Sequence, residues 1–107
     1  MNKYTELSDF EINKKVAGAL GLISEVTHYG VVAKPNNKDH WFKFDPCNNP
    51  ADAMPIIIEY KIGLSPMYHS NKWTADCLDY DFISVNKNPL RACMEVFLMK
   101  KDAENEG

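Results

Sequence analysis

The residues that could bind a metal ion are three cysteines and three histidines, spread along a chain of 107 residues. They are Cys47, Cys77, Cys93, His28, His40 and His69. Zinc sites in small domains take their ligands from close pairs such as Cys-x-x-Cys or His-x-x-x-His, and these six residues form no such pair. Asp76, Asp79 and Asp81 lack the glycine and the closing glutamate of a calcium-binding loop. The sequence therefore predicts no metal site.

Cys47 is the residue best placed to act as a nucleophile, because it lies shortly before a predicted helix start. The positive end of a helix dipole stabilises the thiolate, which is the reactive form of cysteine. The nearby carboxylates of Asp45 and Asp52 act in the opposite direction and favour the thiol. The chain also contains no glycine-rich phosphate loop and no Gly-x-Ser-x-Gly motif. We therefore expect no catalytic residue, no cofactor and no enzymatic activity.

The polar segment at residues 45–52 is the best candidate for a binding site; it has the sequence Asp-Pro-Cys-Asn-Asn-Pro-Ala-Asp. Arg91 is added to it because this arginine lies in the first turn of a predicted helix, where its charge opposes the helix dipole. Buried arginines are usually paired, so a carboxylate such as that of Asp45 or Asp52 is the expected partner. The candidate binding residues are Asp45, Cys47, Asn48, Asn49, Asp52 and Arg91.

Three helices are expected to position these residues. The first is predicted at residues 9–20, where Ser8 and Glu11 form a capping box ahead of an apolar stripe at helical spacing. The second is predicted at residues 50–61, with Asn49 as the N-cap and proline at the first helical position. Residues 56–62 also alternate as a strand would, so both structures remain open for them.

The third helix is predicted to begin after the N-cap Asn88 and to run to about Lys101. Apolar residues cover both of its sides, and only Arg91 and Glu95 form a polar wedge. Such a helix is expected to pass through the centre of the fold, or to offer one side to a partner. Residues 102–107 are expected to be a frayed acidic tail.

The remaining segments favour short antiparallel strands at residues 22–27, 29–33, 40–44 and 82–85 and a hairpin within residues 64–75. The segment His-Trp-Phe-Lys-Phe at residues 40–44 alternates lysine with aromatic residues, as some single-strand binders do, but a half-buried strand explains it more simply. The predicted fold is α+β, with about three helices packed on a short, mostly antiparallel sheet in a single small domain.

Composition restricts the class of protein. Hydrophobic residues make up 45% of the chain and charged residues 25%, as in ordinary globular domains. Twelve basic residues against fifteen acidic ones give a net charge of −3, which makes nucleic acid an unexpected partner. The sequence contains neither a signal peptide nor an apolar run of about 20 residues. We expect a cytoplasmic protein with reduced cysteines, no membrane partner, and a protein partner or a second copy of itself.

Four stretches resemble the phage NinX-like family, namely residues 7–13, 44–53, 88–92 and 96–99. The family consists of small proteins of lambdoid phages and of prophages in enteric bacteria, and the resemblance extends over nearly the whole chain. Its most specific part is the polar block at residues 45–52. Met54 stands where the family has tryptophan and Cys93 where it has alanine, and both are interpreted as exchanges within the core. The resemblance implies an accessory phage protein in the bacterial cytoplasm and implies no mechanism.

The leading functional hypothesis is a non-enzymatic accessory protein that binds another protein. The alternative is a domain that binds a small ligand or nucleotide through the polar loop at residues 45–52, and a hydrolase based on Cys47 is the least favoured. Converging polar groups around a pocket would favour the ligand, whereas an exposed apolar surface would favour the protein partner.

Overall fold

The computed structural model describes residues 2–79 and 81–106, and within them it contains three helices and two three-stranded antiparallel sheets. The predicted α+β class is confirmed. The helices are α1 (Asp9–Ala19), α2 (Pro50–Glu59) and α3 (Pro89–Glu106). The strands are β1 (Ile23–Thr27), β2 (Gly30–Lys34), β3 (Phe42–Lys43), β4 (Ile62–Pro66), β5 (Trp73–Cys77) and β6 (Ile83–Asn86).

The first two helices begin where their capping residues predict. Ser8 accepts a hydrogen bond from the Glu11 backbone at 3.1 Å, and the Glu11 carboxylate accepts one from the Ser8 backbone at 3.0 Å. The Asn49 side chain accepts from the Ala51 backbone at 3.0 Å, and Pro50 follows this cap at the first helical position. The strand alternative for residues 56–62 is wrong up to Glu59, because the strong cap starts a helix that buries Ile56 and Ile57.

The strands divide between two sheets instead of forming the single sheet that was predicted. The first sheet has the order β1-β2-β3 and the second the order β4-β5-β6. Helix α1 packs on the first sheet, whose buried residues include Val31 and Ala33, while α3 packs on all three strands of the second. Each sheet therefore buries one face against a different helix, and a single continuous sheet is not needed to complete the core.

Helix α3 lies at the centre of the fold, which was one of the two positions predicted for it. It contacts α1, α2 and every strand of the second sheet, and residues 91–98 are all buried. Met99, the next residue, is half-buried.

Helix α3 continues to Glu106, beyond the predicted end at about Lys101. Most of the expected tail is therefore helical, and its fraying stays a prediction. The Tyr4 hydroxyl donates to Asp102 in this last part, and Lys3 pairs with the same carboxylate at 3.0 Å.

Candidate functional site

The predicted binding loop connects β3 to α2 and is held by hydrogen bonds between its own residues. The Asp45 backbone N–H donates to Asp52 Oδ2 at 2.9 Å, which closes the loop across seven residues. Asn49 caps α2, as described above. Asp45, Asn49 and Asp52 therefore fix the path of the chain into α2.

Asn13 of α1 joins this loop to the first helix. Its Nδ2 donates to Asp45 Oδ1 at 2.8 Å, and its Oδ1 accepts from the Cys47 backbone at 3.1 Å. Asn13 is buried among apolar neighbours on the same helix face. Sequence reasoning missed this residue, although its helical spacing to Val16 and Ala17 placed a polar side chain within the buried stripe.

Asn88 joins the same loop to α3. Its Nδ2 donates to the Cys47 carbonyl at 2.6 Å and to Asn48 Oδ1 at 3.0 Å, while its Oδ1 accepts from the Leu90 backbone at 3.0 Å. The predicted N-cap of α3 thus also holds the loop. Asn48 donates in turn to Asp45 and to Asp9, each at 3.2 Å.

Arg91 is buried and paired, but its partners are not the predicted Asp45 or Asp52. Its Nη1 lies 2.6 Å from Asp9 Oδ1, and its Nε lies 2.7 Å from Glu95 Oε2. Its Nη2 donates to the Tyr4 and Leu7 carbonyls at 3.0 and 2.7 Å. The prediction fails because the start of α1 packs beside the start of α3, while Asp45 and Asp52 hold the loop. Burial acts to lower the pKa of Arg91, but the hydrogen bonds to Asp9 and Glu95 outweigh it and raise the pKa.

Glu95 receives the other hydrogen bonds of this network and is almost fully buried. Its Oε1 accepts from the Asn2 side chain and from Ser84 Oγ, both at 2.5 Å. Among the described residues, every buried polar side-chain atom has a hydrogen-bond partner. The polar wedge of α3 is therefore an internal network that connects the N-terminal segment, α1, α3 and the second sheet.

Cys47 is brought into this region but is not activated there. Burial raises the pKa of its thiol well above the usual range, and the Asp9 carboxylate raises it further. The predicted effect of the helix dipole is outweighed because desolvation disfavours the thiolate. Burial likewise raises the pKa of Cys93 to about 11. Over residues 2–79 and 81–106, no group of three or more potential ligands is placed to hold a metal ion.

A cleft of about 370 Å³ lies elsewhere, between the end of α2, the segment after β5 and the last turns of α3. Its walls include Tyr60, Lys61 and Lys100. Lys100 already pairs with Asp79 at 2.6 Å and with Glu104 at 3.4 Å. No residue of the predicted binding set lines this cleft. The loop at residues 45–52 and the cleft are therefore separate features.

The exposed face of α2 shows that one interpretation of the sequence was wrong. Met54, interpreted as a core exchange, is 43% exposed, and Ile58, one turn later, is 69% exposed. Cys93, interpreted in the same way, is fully buried. The apolar side chains of α2 thus exceed what the core covers.

The first sheet has an exposed outer surface, and the strand register defines its residues. Strand pairing places Ile23 beside Lys34 on the face opposite the buried residues. On the same face Val32 lies between Glu25 and Lys43. Trp41 joins them, because Lys34 Nζ lies 5.4 Å from the centre of its ring. Within the described chain, the first sheet packs against α1 alone, and α1 covers the other face. We call this surface, formed by Ile23, Glu25, Val32, Lys34, Trp41 and Lys43, the outer face.

The fold and the loop define a small α+β domain whose predicted binding residues form hydrogen bonds within the protein and whose outer face is uncovered. The family model described as "Bacteriophage P22, NinX" matches residues 3–101. The chain therefore belongs to this phage NinX family, and the resemblance is confirmed. Comparison with curated proteins gave no match. The family supports an accessory protein of a phage, and no helix in the described chain is long and apolar enough to cross a membrane.

Proposed function

We propose that this phage accessory protein has no catalytic activity and works by binding another protein through the outer face. The uncovered outer face carries this proposal, since Trp41 there is 42% exposed and Ile23 is 39% exposed. Tryptophan is enriched at the centres of protein interfaces, because it removes a large apolar area from water when a partner covers it.

The network around Arg91 supports a structural role for the residues that might otherwise do chemistry. A nucleophile needs a base and an exposed, ionised atom, whereas the Cys47 thiol is buried and held in its protonated form. Asn49 and Asp52 use their side chains to hold the start of α2, and the Asp45 side chain accepts from Asn13 of α1. These bonds leave the alternative of a ligand or nucleotide on residues 45–52 with less support.

We place this activity in the bacterial cytoplasm. Cys47 and Cys93 are buried thiols that form no disulfide, and such thiols persist in a reducing compartment. The partner in this proposal is a protein of the phage or of its host. A second copy of the chain is the other candidate, and the two differ in the mass that the pure protein shows in solution.

The proposal can be tested with a photo-crosslinking amino acid introduced at position 41 in cells that carry the phage. Position 58 on α2 and position 68 in the second sheet's hairpin are matched controls, because both are exposed apolar positions outside the outer face. We expect a protein adduct of one defined mass from position 41 and none of that mass from the controls. Equal adducts from all three positions, or none from position 41, would contradict the proposal.

A further inference from the structure

The charges are distributed unevenly along the chain. Residues 9–43, which form α1 and the first sheet, contain five lysines and four acidic residues. Residues 44–107 contain six basic and ten acidic residues. An acidic protein of net charge −3 therefore has one part with a positive surplus, and the outer face belongs to that part.

The lysines of the outer face are available to a partner. Among the described residues, neither Lys34 nor Lys43 forms an ion pair; Lys34 lies over the Trp41 ring and donates to the Lys38 carbonyl at 3.2 Å. The pairing of Lys34 with Ile23, and of Lys43 with Val32, sets each positive charge beside an apolar side chain. A surface of this type offers both charge and apolar area to whatever covers it.

We propose that the occupant of the outer face is an acidic segment of the partner protein, with apolar side chains between its carboxylates. Its carboxylates would pair with Lys34 and Lys43, and its apolar side chains would cover Trp41 and Ile23. This inference rests on the proposed function, to which it adds the chemistry of the partner. Charge complementarity carries it, because opposite charges steer association and exclude partners of the same sign.

Nucleic acid fits the same surface less well. Single-strand binders offer several exposed rings for successive bases in a positively charged groove. The outer face as defined has one ring, that of Trp41, so successive bases would find no second ring on which to stack. The observations therefore favour an acidic polypeptide.

The first experiment measures binding of defined probes to the folded protein. The probes are a 12-residue peptide of glutamate, leucine and serine, the same peptide with lysine for glutamate, and a single strand of 12 thymidines. Amide shifts in a two-dimensional NMR spectrum locate binding, and the Trp73→Phe variant makes fluorescence report on Trp41 alone. We expect the acidic peptide to shift residues of β1, β2 and β3, and its affinity to fall about tenfold when salt rises from about 0.05 to 0.5 M.

The second experiment reverses the charges of the outer face. The Lys43→Glu variant, and the double variant with Lys34→Glu, should lower the affinity for the acidic peptide by about tenfold or more. Lys72→Glu is the control, since this lysine is exposed in the hairpin of the second sheet. Circular dichroism verifies that each variant is folded, and Lys43→Glu alone serves if the double variant is not.

Three results would overturn this inference: tighter binding of the thymidine strand, equal binding of the lysine peptide, or no shifts in the first sheet with the acidic peptide. A mass that rises with protein concentration and falls in Lys43→Glu would identify a second copy of the chain instead. If crosslinks from position 41 persist in Lys43→Glu, the protein partner stands and only its acidic character fails. If position 41 gives no crosslink at all, the proposed function itself fails.

Discussion

Arg91 shows how one residue can be unfavourable in its helix and still stabilise the fold. Its charge opposes the dipole at the start of α3, yet it forms ion pairs with Asp9 and Glu95 and donates to two carbonyls of the N-terminal segment. The guanidinium is suited to this because it presents five donors in a fixed plane. Arg91 thus links the chain's N-terminal segment to its central helix.

Removal of this guanidinium should be costly. In Arg91→Met the buried Glu95 carboxylate loses its charged partner, and we expect the free energy of unfolding to fall by about 3–5 kcal/mol. Urea denaturation measures the change, with Lys87→Met as the exposed control. The double variant Arg91→Met, Glu95→Met should recover part of the loss, because it leaves no unpaired charge at these two positions. A single variant as stable as the control would contradict this account.

The buried thiols predict a loss of stability at alkaline pH. Folding raises the pKa of Cys93 from its ordinary value of 9.0 to about 11, and burial raises that of Cys47 further. Between about pH 9 and 11 the unfolded thiol ionises while the folded one stays protonated, so the stability present below pH 9 is lost as pH rises. Urea denaturation gives the free energy of unfolding at pH 7.5 and at pH 10. Between these two pH values we expect that free energy to fall by about 1 kcal/mol less in Cys93→Ala than in the unaltered protein. Equal losses would show that this thiol is not desolvated.

At the scale of elements, one side chain caps the start of α2. The Asn49 side chain accepts from Ala51, and Pro55 within the helix reduces the backbone hydrogen bonds that follow. We expect Asn49→Ala to cost about 1 kcal/mol, measured by urea denaturation against the exposed control Asn71→Ala. Unchanged stability combined with a loss of partner binding would instead make the loop a binding site.

Neighbouring positions of α3 should differ sharply in how far a substitution destabilises the fold. Phe97 is fully buried and contacts the Tyr60 ring, with their centres 4.9 Å apart, so Phe97→Ala should cost about 3–5 kcal/mol. Val96→Lys should prevent folding, because it buries a charge at a fully enclosed position. Met99 is half-buried, and a lysine there can extend its ammonium to water, so Met99→Lys should remain folded. Circular dichroism separates these outcomes, and unfolding of Met99→Lys would contradict the assigned burial.

At the scale of the whole molecule, the proposed partner is not a second copy. Copies of a molecule that carries a net charge of −3 should repel one another weakly. We therefore expect light scattering to give the 12.2 kDa mass of one chain over a wide concentration range. A dimer mass that Trp41→Ala reduces to one chain would assign the outer face to self-association.

Much of the fold could be predicted from the sequence, because the residues that start each helix act on backbone groups close to them in the chain. Ser8, Asn49 and Asn88 each bond to backbone groups two or three residues away, so a short stretch of sequence suffices to identify them. The central position of α3 was also predictable, since apolar residues on both sides of a helix require cover on both sides. The division of the strands between two sheets was not, because strand alternation carries no information on which helix covers each face.

The candidate site was predicted in part. Its members Asp45, Cys47, Asn48, Asn49 and Asp52 do lie together, and the block that contains them carried the family resemblance. The pairing of Arg91 with Asp9 and Glu95, and the position of Asn13 between two elements, were decided only by tertiary structure. Caps and helix stripes depend on neighbours in sequence, whereas these contacts span up to 82 residues and exist only once α1 packs beside α3. The exposure of the outer face depends in the same way on which side of the sheet α1 covers.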